Sequence, residues 1–155
     1  MMAATFQWAE SNGAGQTVTD GISNLNYGNI DAVNITPASN PITAGNNSYE
    51  KWNRGKFSGT YNSITNLKFY KSAGAYVTGE DIKAAVNAAY ATPTASTSVV
   101  ATVTVPITLG SALAPTAPGA SPSYSGYITS QLQTTVSTPP GNVNQKTFTL
   151  QYDET

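Results

Sequence analysis

The sequence predicts an all-β fold, a mainly antiparallel sandwich. Three observations carry this. Short apolar runs alternate with polar residues and are separated by Gly, Pro, Asn and Ser clusters. Residues 97–109 are dominated by Val and Thr, the β-branched residues that favour strands. The last segment, 145–152, places Phe148, Leu150 and Tyr152 on one face and Thr147, Thr149 and Gln151 on the other.

The elements follow in order. Residues 4–8 set Phe6 and Trp8 on one face and Thr5 and Gln7 on the other, and a Gly- and Asn-rich loop spans 10–16. Residues 17–35 carry Val18, Ile22, Leu25, Tyr27, Ile30, Val33 and Ile35, broken by Gly21 and Gly28, and read as two short strands and a turn. Pro37, Pro41 and Gly45 punctuate a loop over 36–48. Residues 49–59 read as a long strand and 62–71 as its antiparallel partner, with Leu67 and Phe69 on one face and Lys68 and Tyr70 on the other. Residues 79–90 offer one short helix. Ile82, Val86 and Tyr90 recur at i, i+4, i+8, Thr78 stands at the N-cap, and Glu80 and Asp81 sit near the positive end of the dipole. A loop followed by a strand is the alternative there. After the 97–109 run, Pro106 breaks the pattern. Residues 110–126, with Pro115, Pro118 and Pro122, form a low-complexity arm. Residues 127–136 and 145–152 then read as a closing hairpin. The whole, 1–155, is one domain of Ig-like or jelly-roll-like type.

Composition narrows the chemistry. The 155 residues contain no Cys and no His, which removes disulfides, thiolate nucleophiles, Cys/His zinc sites and imidazole bases within one chain. Eight acids are scattered, and only Glu80-Asp81 and Asp153-Glu154 are adjacent; neighbours in a strand point to opposite faces, so adjacency does not make a catalytic dyad. Gly13-Ala14-Gly15 lacks the third glycine of a phosphate loop and reads as a turn. Asp20, Asn29 and Asp31 are cation ligands only in a generic sense. The expectation is a non-enzymatic protein with no catalytic residue, cofactor or metal.

Charged residues make up 10% of the chain and the net charge is -1, so no long-range field attracts nucleic acid or an acidic membrane. Five of seven basic residues (Lys51, Arg54, Lys56, Lys68, Lys71) fall within 51–71, which a solvated strand face explains. The first ten residues lack the basic and apolar regions of a signal peptide, and no apolar run reaches the ~20 residues that span a bilayer. Trp8, Trp52, Tyr49, Tyr61, Tyr70 and Tyr76 have the rings to stack on a sugar, although core packing accounts for such residues more readily.

Three segments carry a resemblance. They are Asn46-Asn47-Ser48-Tyr49-Glu50-Lys51-Trp52 leading into Lys56-Phe57-Ser58-Gly59; Ile64-Thr65-Asn66-Leu67-Lys68-Phe69-Tyr70; and Lys146 to Thr155. Together they resemble small virion structural proteins of tailed bacteriophages. The resemblance implies a particle component assembled in the host cytoplasm, most simply a capsid decoration (cement) protein that bridges major capsid subunits. A neck, tail or fibre component is the alternative, and a carbohydrate-binding adhesin-type module is the reading from another class. The implied partners are the major capsid protein or other virion proteins and further copies of the chain, a trimer in the first instance. The expected contact residues are Phe6, Trp8 and Trp52 together with Pro115, Pro118 and Tyr124 of the arm.

Overall fold

The computed structural model describes residues 3–93, 101–141 and 144–155. Among them, nine strands form two antiparallel sheets, the expected all-β architecture. The strands are β1 (Ala3–Asn12), β2 (Thr17–Asp20), β3 (Lys51–Thr60), β4 (Ile64–Ala73), β5 (Glu80–Asn87), β6 (Val103–Thr104), β7 (Ser123–Tyr124), β8 (Tyr127–Thr134) and β9 (Thr147–Glu154). The larger sheet runs β2-β1-β3-β8-β5-β6, with β7 also paired to β3, and the smaller sheet is β4-β9.

Strand alternation decides which side chains meet. The β1–β3 register sets Phe6 opposite Phe57 and Trp8 opposite Gly55. The β8–β5 register sets Leu132 opposite Ile82 and Ser130 opposite Ala84. These residues share the inner face of the large sheet. Ile64, Leu67, Phe69 and Leu150 of the small sheet pack on it, and Phe57, Phe69 and Ile128 are sealed from solvent. Gly55 faces the small sheet with no room for a side chain. A Cβ there would lie 2.9 Å from both the Phe57 and Phe6 rings and 3.0 Å from Leu150.

Leu67 and Phe69 face the core, as the alternation of β4 predicts, and so does Ile64, three residues before Leu67. A β-bulge reconciles the two spacings. The register slips between Thr65 and Lys68, and Asn66 takes φ 53°, a left-handed conformation that Asn tolerates. The extra residue returns Leu67 to the inner face.

Four expectations are corrected. Residues 79–90 do not form a helix. Glu80, Ile82 and Ala84 are buried in alternation, and all of Glu80–Asn87 pairs with β8. Non-local pairing overrides the local preference of the alanines. Residues 62–71 do not partner 49–59, because β4 pairs with β9. The 127–136 and 145–152 segments do not form a hairpin, because β8 inserts between β3 and β5. Residues 17–35 hold one short strand, β2, and 21–50 contain no further strand. Alternation states which face a residue occupies and says nothing of which strand lies beside it.

Of the 97–109 run, residues 97–100 lie outside the described residues. Val103–Thr104 pair with β5, and the chain then crosses from one sheet to the other. Val105 N–H donates to the Ile82 carbonyl, Lys71 N–H to Pro106, and Leu113 bridges to Phe69. Residues 110–126 run along the sheets rather than away from them. Pro115 is buried, Tyr61 Oη donates to the Gly119 carbonyl, Ser121 Oγ donates to Gly59, and β7 pairs with β3.

Candidate functional site

Residues 21–50 have few backbone partners of their own, so their position depends on polar anchors. The large sheet supplies them on its inner face. Lys51 and Glu10 are both 0% exposed and meet at 2.7 Å, and Lys51 Nζ also donates to the Ala32 carbonyl at 2.6 Å. Asn12 Nδ2 donates to Asp31 Oδ1 and to the Glu50 carbonyl, each at 2.8 Å, and Asp31 Oδ1 also accepts Gly13 N–H. Tyr27 Oη and Ser130 Oγ lie 2.8 Å apart. Burial pushes the Tyr27 phenol well above its ordinary pKa, against a smaller opposing effect of Ser130. Lys51, expected on a solvated strand face, is instead the centre of this network, because a buried ammonium needs a carboxylate and carbonyls around it.

Held this way, the excursion leaves a cleft of about 670 Å³ between itself and the segment 144–148. Trp8, Asn53, Leu132, Ile82 and Glu80 form its floor, all on the inner face by register. Residues 22–27 and 36–38 form one wall and Asn144 to Phe148 the other. Glu80 and Lys146 close the floor. Lys146 Nζ lies 2.5 Å from each Glu80 carboxylate oxygen, with the two side chains 0% and 4% exposed, and Glu80 Oε2 also accepts Val77 N–H. Asn53 is 4% exposed, and its Oδ1 finds no hydrogen-bond partner among the described residues.

The outer face of the large sheet is organised differently. Trp52 is 1% exposed and packs edge-on against Tyr90 and Tyr127 at 5.2 and 5.6 Å. Arg54 lies over the rings of Tyr124 and Tyr127 at 4.0 and 4.5 Å. Tyr124 Oη donates to Asp20, and Lys56 pairs with Asp20 at 2.6 Å. Burial pulls the Asp20 pKa upward, but the hydrogen bonds from Lys56 and Tyr124 and the charges of Lys56 and Arg54 outweigh it and leave it low.

The expected contact residues are therefore dispersed. Phe6 and Trp8 are half-buried on the core face, Phe6 tilted against Phe57 at 5.4 Å and Trp8 edge-on to Phe69 at 6.3 Å. Trp52 is enclosed on the opposite face and has no free ring surface to stack on a sugar. Pro115 is buried, Pro118 is half-buried, and Tyr124 lies in the Asp20 cluster. Only Trp8 among them lines the cleft. No local sequence pattern marks Asn53, Glu80 and Lys146 as parts of one site. Asp20 and Asp31, named as generic cation ligands, take separate protein partners. Gly13 and Gln16 close the β1–β2 turn through Gln16 N–H to the Gly13 carbonyl, as the reading of that loop as a turn expects.

No protein-family model, curated protein or solved structure matches this chain.

Proposed function

We propose that this protein is a non-enzymatic structural component of a virion, a capsid decoration protein that binds the outer surface of the shell and bridges major capsid subunits. The observation that carries the reading is the side of the sandwich where residues 103–113 cross between the sheets. Val103, Ile107 and Leu109 are 53%, 66% and 41% exposed there, and Val86 on the adjoining β5 is 40% exposed. Exposed apolar residues along this crossing segment offer an interaction surface. Lys83, on the same edge, is engaged by Asp81 and Thr104. Recognition by shape and apolar contact suits a partner that repeats many times over a shell. The resemblance of three segments to tailed-phage virion proteins points the same way.

The test is to mix purified protein with shells assembled without it. Saturable, stoichiometric co-sedimentation and a higher shell melting temperature are expected. Val103→Lys with Ile107→Lys should abolish binding while leaving the melting temperature of the isolated protein unchanged. Absence of stoichiometric binding overturns the reading. Binding as a single ring at the neck or tail, seen by electron microscopy, replaces it with the tail-component alternative.

A further inference from the structure

We infer that the cleft beneath residues 22–38 is a binding site for a neutral saccharide. The inference is independent of the virion reading.

Size is the first argument. About 670 Å³ lies within the range of small-molecule sites, roughly 300–1,000 Å³, room enough for an oligosaccharide. The floor is made of paired strands, so the site is formed before a ligand arrives.

Charge selects the ligand class. Among the described residues, the cleft carries two charged side chains, Glu80 and Lys146, and they neutralise each other in a doubly bonded pair. No free cation remains to hold a phosphate or carboxylate, and no free anion to hold an amine. The other polar groups are amides and hydroxyls, among them Asn24, Thr36, Asn144 and Gln145. Amides both donate and accept, as sugar hydroxyls do.

Asn53 adds a specific demand. Its Oδ1 is a buried acceptor without a donor, a costly arrangement unless something supplies one. A purely apolar ligand, such as an acyl chain, leaves that cost in place, whereas a sugar hydroxyl removes it once the Asn53 amide turns toward the cleft it lines. Trp8, Ile82, Leu132 and Phe148 provide apolar surface for the C–H faces of the ring. Trp8 is half-buried by Phe6 and Phe69, which fixes its indole in place.

The experiment is an NMR titration of the full chain, following the Trp8 indole N–H, with maltotriose, cellotriose and chitotriose as neutral probes and 3′-sialyllactose and decanoate as charged and acyl comparisons. Trp52, sealed on the other face, is the internal reference. At least one neutral trisaccharide should shift the Trp8 resonance saturably and leave Trp52 unmoved. Asn53→Ala should weaken that binding about tenfold without lowering the melting temperature, since its Oδ1 holds no protein partner. Asn24→Ala, at an exposed wall position, should also weaken it and cannot disturb the core. No saturable shift with any neutral probe overturns the inference. So does tighter binding of sialyllactose or decanoate, or unaltered affinity in both variants.

Discussion

Replacing Lys51 with methionine removes an ammonium and leaves a carboxylate stranded. Lys51 and Glu10 are both 0% exposed and their charged atoms are 2.7 Å apart. At an effective dielectric constant near 20, the attraction at that separation is about 6 kcal/mol, much of it offset by the desolvation of both ions. In Lys51→Met the desolvation of Glu10 persists and the attraction does not. Among the described residues, the 3.4 Å contact from Asn34 N–H is the remaining hydrogen bond to that carboxylate. Breaking such a pair from one side costs about 3–5 kcal/mol. In a chain of 155 residues this lowers the melting temperature by roughly 6–20 °C. Because Lys51 also donates to Ala32, residues 31–34 should lose hydrogen-exchange protection before the strands do. The double variant Glu10→Gln, Lys51→Met should regain most of the loss. Urea unfolding of the two single variants and the double variant closes the cycle. A loss below about 1 kcal/mol in Lys51→Met, or a coupling near zero, would refute the claim that this pair anchors the 21–50 excursion.

Four further outcomes follow from the same geometry. Gly55→Ala should destabilise by about 1–3 kcal/mol, because its Cβ meets three core side chains, whereas Gly110→Ala, with no atom within 4 Å, should be nearly neutral in the same denaturation assay. Burial raises the pKa of Tyr27 and pushes those of Tyr76 and Tyr90 up to about 12. The folded state thus retains phenolic protons that the unfolded chain releases near pH 10, so stability is full below about pH 10 and falls above it. Melting temperatures across that range should decline while phenolate absorbance shows a fraction of the tyrosines titrating late. On the acid side, the low pKa of Asp20 stabilises the fold above the ordinary carboxylate range and that contribution is lost as pH falls through the folded value; Asp20→Asn should flatten this part of the melting profile. Tyr124→Ala should cost about 1 kcal/mol through the lost Arg54 stacking, and limited proteolysis should cut faster within 110–126.

The strands were legible to the degree that their burial repeats every two residues. Leu67 and Phe69 in β4, and Leu150 flanked by Phe148 and Tyr152 in β9, stand on the core side as their alternation predicts. The 79–90 segment is ambiguous in sequence, because Ile82 and Val86 satisfy a period of four as well as a period of two. Its alanines favour a helix, and only the eight-residue pairing with β8 decides for a strand. The cleft was not legible at all. Trp8 and Asn53 are 45 positions apart in sequence, and Ile82 and Lys146 lie further still. What joins them is the order of strands in the large sheet.

By itself the sequence determined the all-β class, the alternating faces of β1, β4 and β9, and the absence of thiol and imidazole chemistry. These depend on residue type and on spacing within a single segment. Tertiary structure alone decided which strands are neighbours, that Lys51 is buried against Glu10, and that Asn53, Glu80 and Lys146 meet under one loop. Pairing between distant segments is chosen by the total burial of the whole sheet, and no single segment carries that sum.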